Sequence, residues 1–101
     1  MKPIEFSMKL RKELIERTGL GDIKTVVKEN KRGLVYNIRT HFTDRVDYAR
    51  RKNLIFVFLR NIGVTGLILD FEMYGDGMVV KFFNPPPQYN VVYCKLNQKD
   101  R

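Results

Sequence analysis

The side chains best suited to bind another molecule are basic, and they are concentrated in the first part of the chain. Residues 1–60 contain 15 Lys and Arg against 7 Asp and Glu, whereas residues 61–101 contain 4 of each kind. Lys and Arg neutralise phosphates and release their counterions, which supplies most of the sequence-independent affinity of proteins for nucleic acids. The charge pattern therefore predicts a basic surface that binds DNA or RNA, without choosing between them.

The predicted contacts belong to a first β-hairpin, its turn and the start of a second helix. On the second strand of that hairpin, Asn37, Arg39 and His41 alternate with apolar residues, so they share one face and could present donors to bases or sugars. A solvated charged face with no partner is the alternative for such residues. The predicted nucleic-acid-binding residues are Lys24, Lys28, Lys31, Arg32, Arg39, His41, Arg45, Arg50, Arg51 and Lys52.

Few residues could support catalysis or bind a metal. Cys94 and His41 are each the only residue of their type, which excludes a Cys/His zinc site and a disulfide within one chain. The single serine, Ser7, lies in a predicted helix without a neighbouring base. Gly19 and Gly21 follow a helix, whereas a phosphate-binding loop precedes one. We therefore expect no catalytic residue, no metal site and no cofactor.

One acidic pair keeps an enzymatic alternative open. Asp70 and Glu72 alternate on a predicted strand and point to the same side, with Asp76 in the adjacent turn. Two carboxylates near Lys81 could hold Mg²⁺ in a metal-dependent nuclease. Without a third anchor, however, such a pair more often forms the polar face of a strand. The nuclease is therefore the less favoured reading, and the protein is expected to be non-enzymatic.

The elements that position these residues follow from the apolar pattern. Helical spacing over residues 4–15 predicts a first helix that ends at Gly19, a residue suited to the left-handed helix cap. Alternating runs at residues 23–29 and 34–42 then predict a hairpin around a turn that contains Gly33. Thr43 is the predicted N-cap of a second helix.

Periodicity alone does not distinguish a second helix from a buried strand, because residues 54–59 are apolar on all sides. A shift of the sequence by 44 residues favours the helix. The shift superposes Gly19 on Gly63 and Gly33 on Gly77, so both helix-ending glycines and both hairpin glycines stay in register. A duplicated helix-hairpin unit and a chance likeness between two such units both remain open.

The full order is α-β-β-α-β-β, with an extra strand at residues 91–96 after three prolines. The chain is predicted to form one domain, residues 1–101. This domain consists of a first helix-hairpin unit at 1–42, a second helix-hairpin unit at 43–84, and a proline connector, strand and tail at 85–101. We expect an α+β fold in which an antiparallel sheet of four to five strands carries both helices on one face. This order is also a circular permutation of the ferredoxin-like pattern.

The last strand suggests another function for the chain. An added strand can pair with the sheet edge of a second subunit, so a protein-interaction or assembly module that forms a homodimer is the alternative to nucleic-acid binding. No apolar run approaches the length of about 20 residues that spans a bilayer, and no secretory signal is visible. We expect a cytoplasmic protein without membrane contact, and a short basic chain of this kind could be viral or plasmid-encoded.

Overall fold

A computed structural model of the chain describes residues 2–31, 33–64 and 68–84, without the side chains of residues 68–70 and 84. It confirms the α+β class, the predicted element order and the antiparallel sheet, whose strand order is β1-β2-β4-β3. The predicted fifth strand and the connector before it lie outside the described residues. The elements are α1 (Pro3–Thr18), β1 (Lys24–Asn30), β2 (Gly33–His41), α2 (Arg45–Asn61), β3 (Ile68–Tyr74) and β4 (Gly77–Asn84).

α1 ends at the predicted glycine. Gly19 has a φ of 76°, and its N–H donates to the Ile15 carbonyl at 3.0 Å. A left-handed residue of this kind reverses the chain direction and satisfies a carbonyl that the helix leaves without a partner. Leu20, the next residue, is buried in the core. The cap therefore turns the chain so that β1 runs back beneath the helix.

α2 begins one residue later than predicted. Asp44, not Thr43, is the N-cap, because its carboxylate accepts the Asp47 backbone N–H at 2.8 Å. The Asp47 carboxylate in turn accepts the Thr43 backbone N–H at 3.0 Å. Thr43 therefore takes the position before the cap, and the two aspartates satisfy the backbone donors at the start of the helix.

The apolar segment that was compatible with a strand lies inside α2, as the shifted comparison predicts. The helix ends in a Schellman motif in which Gly63, at φ 87°, donates to the Arg60 carbonyl at 3.0 Å. Val64 donates to the Leu59 carbonyl at 2.9 Å and is fully buried. Both units thus end their helix with a left-handed glycine followed by a buried apolar residue.

The two hairpins also share their register. In the first, Asn30 pairs with Gly33, and in the second, Tyr74 pairs with Gly77. These positions are 44 residues apart, so the closing pairs of the two hairpins are equivalent. The hairpins differ at their loops, where Gly33 and Gly75 have a positive φ but the equivalent Gly77 and Lys31 do not, and at the far end of the second, where the register shifts between residues 68 and 70. The two units therefore share this part of their register, and a duplication stays a prediction.

The two units meet along β2 and β4, which pair antiparallel. Asn37 of β2 lies directly opposite Lys81 of β4. These two residues are themselves 44 positions apart, so they are equivalent in the two units. A pseudo-twofold axis therefore passes between Asn37 and Lys81, at the centre of the sheet.

The core lies between the sheet and the two helices, as predicted. The Tyr36 ring stacks on Phe82 with centroids 5.2 Å apart and meets Phe6 of α1 edge-on at 4.9 Å. Aromatic pairs of these geometries add to the stabilisation from burial alone. The largest fully buried residues are Phe6, Leu10, Leu14, Ile23, Tyr36, Ile38, Ile55, Leu59, Val64, Met78 and Phe82.

Within the described ranges, neither helix is long and apolar enough to cross a membrane.

Candidate nucleic-acid interface

One face of the sheet points away from the helices, and it carries four of the ten predicted binding residues. Tyr36, Ile38 and Val80 are buried on the helix side. Since side chains alternate along a strand, their neighbours point to the other side. We call this surface the outer face; it consists of Lys24, Val26, Lys28, Val35, Asn37, Arg39, His41, Glu72, Tyr74, Val79, Lys81 and Phe83.

The described side chains of the outer face are strongly biased towards positive charge. Lys24 and Arg39 are direct register partners on β1 and β2, and both are exposed. Lys28 lies four residues from Lys24 on the same strand, about 13 Å away at about 3.3 Å per residue. Lys81 adds a cation on β4, and its Nζ lies 2.6 Å from the carboxylate of Glu72. Glu72 is the single acid among these described side chains.

A pocket of about 320 Å³ lies in this basic region. Asn37 and Val35 of β2 contribute to its wall, and it is lined by Lys28, Glu29, Asn30, Val35, Asn37, Arg39 and Lys81. Asn37 is only 4% exposed. Its side chain makes no hydrogen bond to any residue of the described ranges. The pocket thus combines cations with a buried amide.

Arg51, a predicted contact, lies instead in an ion-pair network. Its Nη1 donates to the Asp22 carboxylate at 2.9 Å and to the Thr40 hydroxyl at 2.6 Å, and its Nε donates to the Asp47 carboxylate at 2.9 Å. The Arg51 side chain is 17% exposed. We call Asp22, Thr40, Asp47 and Arg51 the Asp22–Arg51 network. It ties the segment between α1 and β1 to the end of β2 and to the first turns of α2.

Hydrogen bonds hold the network in its charged form. Partial burial alone would raise the pKa of Asp22, but hydrogen bonds from the Thr40 hydroxyl, the His41 backbone N–H and Arg51 outweigh it and lower the pKa to about 2. Burial likewise opposes the charge of Arg51, yet its bonds to Asp47 and Asp22 raise its pKa. The backbone N–H of Thr43 is the main cause that lowers the pKa of Asp47.

The other predicted residues of α2 lie on the helix layer. Arg50 donates to the Asp47 carboxylate at 2.9 Å but is 56% exposed. Lys52 lies 4.8 Å from the centroid of the Phe71 ring, in a cation–π contact. Arg45 is exposed in the first turn. The predicted set is therefore split between two surfaces, with α2 packed on the opposite side of the sheet from the outer face.

The remaining predicted residues lie at the ends of the first hairpin. His41 is exposed at the end of β2, with its Nδ1 3.6 Å from the Asp22 carboxylate. Lys31 is exposed in the turn, and Arg32 lies outside the described residues. Lys81 is the cation that the sequence prediction left out of the binding set. Strand alternation and the equivalence of Lys81 with Asn37 would have placed it on the outer face.

The alternative functions find no added support in the described part of the chain. Its His, Cys, Asp and Glu side chains include no group of three that could hold a metal ion. Glu72 forms a salt bridge with Lys81, and the side chain of Asp70 lies outside the description. The strand predicted to form a homodimer also lies outside it, so dimerisation stays a prediction.

Comparisons with known proteins identify no relative: no protein-family model, curated protein or solved structure matches the chain. The functional inference therefore rests on the surface itself.

Proposed function

We propose that this protein is a non-enzymatic nucleic-acid-binding protein whose outer face contacts the phosphate backbone. The observation that carries the proposal is the concentration of Lys24, Lys28, Arg39 and Lys81 on one face of the sheet, against the single described carboxylate of Glu72. A surface with one sign of charge attracts a polyanion from solution and releases its counterions on contact.

Lys24, Lys28 and Arg39 are the principal contacts in this proposal. All three are exposed, and none forms an ion pair with another described residue. Their charge is therefore available to phosphates without the loss of an ion pair within the described ranges. Arg39 can also form bidentate contacts, because its planar guanidinium matches two phosphate oxygens.

The cations of α2 have a smaller part. Arg45 and Arg50 are exposed near the start of the helix and could contact a nucleic acid that extends past the edge of the sheet. Arg51 is different, because a phosphate would have to replace two carboxylates that already surround its guanidinium. We therefore assign Arg51 to the fold and the outer face to binding.

Fluorescence anisotropy with labelled single- and double-stranded DNA and RNA tests the proposal. The association constant should fall linearly on a log–log plot as salt increases from about 50 mM, because each phosphate contact contributes about −0.7 to −0.9 to the slope. The variant Lys28→Gln/Arg39→Gln should weaken binding at low salt and reduce the slope by about 1.5.

The control is Lys12→Gln/Arg60→Gln, which removes the same charge from exposed positions on the two helices. It should change the slope much less, because the positions are not on the outer face. Equal effects of the two double variants would show that net charge, not the outer face, determines binding. The absence of binding to all four probes at about 50 mM salt would refute the function.

A further inference from the structure

A buried amide that no described residue satisfies marks a more specific site within the outer face. Asn37 lies on a central strand, is 4% exposed and lines the pocket of about 320 Å³. A side-chain amide offers two donors and an acceptor, and buried groups of this kind are almost always hydrogen-bonded. Within the described residues this amide has no hydrogen-bond partner, and a buried amide left in that state costs stability unless a ligand satisfies it.

The neighbours of Asn37 do not satisfy its side chain. Its register partners are Val26 on β1 and Lys81 on β4. Valine has no polar side-chain atom, and the bond described for the Lys81 ammonium is the one to Glu72 at 2.6 Å, not one to the amide. The amide therefore faces the pocket with its hydrogen-bonding capacity unused by these residues.

We infer that this pocket is a subsite for the base of an unpaired nucleotide, with Asn37 bonded to the edge of the base. The inference rests on the proposed function and names its substrate class. An amide presents a donor beside an acceptor, which matches the edges of nucleobases. The Val35 side chain supplies an apolar wall, and the volume lies within the range of about 300–1,000 Å³ of small-ligand sites.

The burial of Asn37 decides between unpaired and paired nucleic acid. In a duplex, base edges lie at the bottom of grooves about 7–9 Å deep, so a side chain must project from the protein to reach them. Asn37 does not project, since 96% of its surface is covered. A base has to come to the amide, and only an unpaired base can do so. Lys28 and Arg39, on the rim, then contact the flanking phosphates.

The test compares wild type with Asn37→Leu, a substitution of similar volume that removes the amide. The probes are single-stranded oligo(dA), oligo(dC) and oligo(dT) of about 12 nucleotides, their RNA counterparts and a duplex of the same length. Wild type should prefer single strands and discriminate among the bases. Asn37→Leu should bind the preferred strand about tenfold more weakly, lose the discrimination and keep the salt slope.

Thermal unfolding supplies a second measurement, which distinguishes a binding role of Asn37 from a purely structural one. Because the described residues leave the Asn37 amide without a hydrogen bond, Asn37→Leu should raise Tm by about 4 °C or more while it weakens binding. Asn37→Ala is measured in the same assays as a second variant, with the same loss of base discrimination expected.

The outcomes separate this inference from the proposed function. Salt-dependent binding that Asn37→Leu and Asn37→Ala leave unchanged, or tighter binding to the duplex, overturns the subsite but leaves the outer face as the binding surface. A large decrease in Tm for Asn37→Leu also overturns it, because the amide would then be satisfied in the free protein. Failure of wild type to bind any probe refutes both.

Discussion

The assignment of Arg51 to the fold predicts that Arg51→Met destabilises the protein by about 2 kcal/mol. Removal of one partner from a fully buried ion pair costs about 3–5 kcal/mol, whereas an exposed pair contributes about 0–1 kcal/mol. The Asp22–Arg51 network lies between these limits. Arg51 and Asp47 are 17% and 13% exposed, so they are largely shielded, but Asp22 is 38% exposed.

The partial exposure of Asp22 sets the size of the effect. Without Arg51, water can solvate the Asp22 carboxylate, which also keeps its bonds from the Thr40 hydroxyl and the His41 backbone N–H. The Asp47 carboxylate retains the bond from Thr43. Neither acid is left without partners, so the cost stays near the middle of the range. For a chain of this size, about 2 kcal/mol corresponds to a decrease in Tm of about 8–16 °C.

Urea denaturation followed by circular dichroism measures this change, and Arg50→Met is the matched control. Arg50 bonds to the same Asp47 carboxylate at the same distance of 2.9 Å, but its side chain is 56% exposed. We expect a loss of about 0.5 kcal/mol or less for the control. Equal losses for the two variants, or a loss below about 0.5 kcal/mol for Arg51→Met, would refute the reasoning. So would a decrease of about 0.9 in the salt slope of nucleic-acid binding, which would identify Arg51 as a phosphate contact.

Two further predictions concern the segment between α1 and β1. Because the Asp22 pKa is lowered from 3.8 to about 2, its stabilising contribution is complete above about pH 5 and is lost as the pH falls from about 4 to about 2. The shift corresponds to about 2.4 kcal/mol, which solvent screening of the exposed carboxylate reduces to about 1 kcal/mol. Urea denaturation of wild type and Asp22→Asn across this pH range should show a shallower pH dependence of stability for the variant. Parallel curves would contradict this prediction. Gly19→Ala should cost about 1 kcal/mol in thermal unfolding, because Gly19 has a φ of 76° while nothing lies within 4 Å of an added Cβ. Gly21→Ala, in equally open space but without a positive φ, should be close to neutral, and a similar loss for both would disprove a backbone origin.

The sequence predicts the layout of the outer face well because strand alternation is a local rule. Apolar Tyr36 and Ile38 had to face the helices, so Asn37 and Arg39 had to face away. The same rule cannot show how deeply a side chain is buried. The 4% exposure of Asn37 depends on its tertiary surroundings, which no local pattern contains.

The role of Arg51 illustrates what the sequence shows only in part. The pair of Asp47 and Arg51, four residues apart on one helix, is visible in the sequence as a standard helical ion pair. Its second partner, Asp22, is 29 residues away and is brought close only by the packing of α2 beside the end of β2. One carboxylate alone would leave Arg51 available to a phosphate, whereas two do not.

The predicted N-cap of α2 is wrong by one residue because the cap also depends on contacts that form only in the folded helix. Thr43 and Asp44 are both good N-cap residues, and their order in the sequence does not choose between them. The choice depends on which backbone N–H groups the Asp47 side chain can reach from inside the helix. Element boundaries are therefore less predictable than the elements themselves.

The position of Asn37 opposite Lys81 has a consequence for symmetry. In a dimer of two identical helix-hairpin chains, each residue on the twofold axis would meet its own copy, so the centre of the sheet would hold two amides or two ammonium groups. A single chain with two units is free of that constraint. Its axis can place an amide beside a cation, and the sheet can have a different chemical character on each side of its centre. One chain with two unlike halves can thus build a polarised recognition surface that a symmetric pair of halves could not.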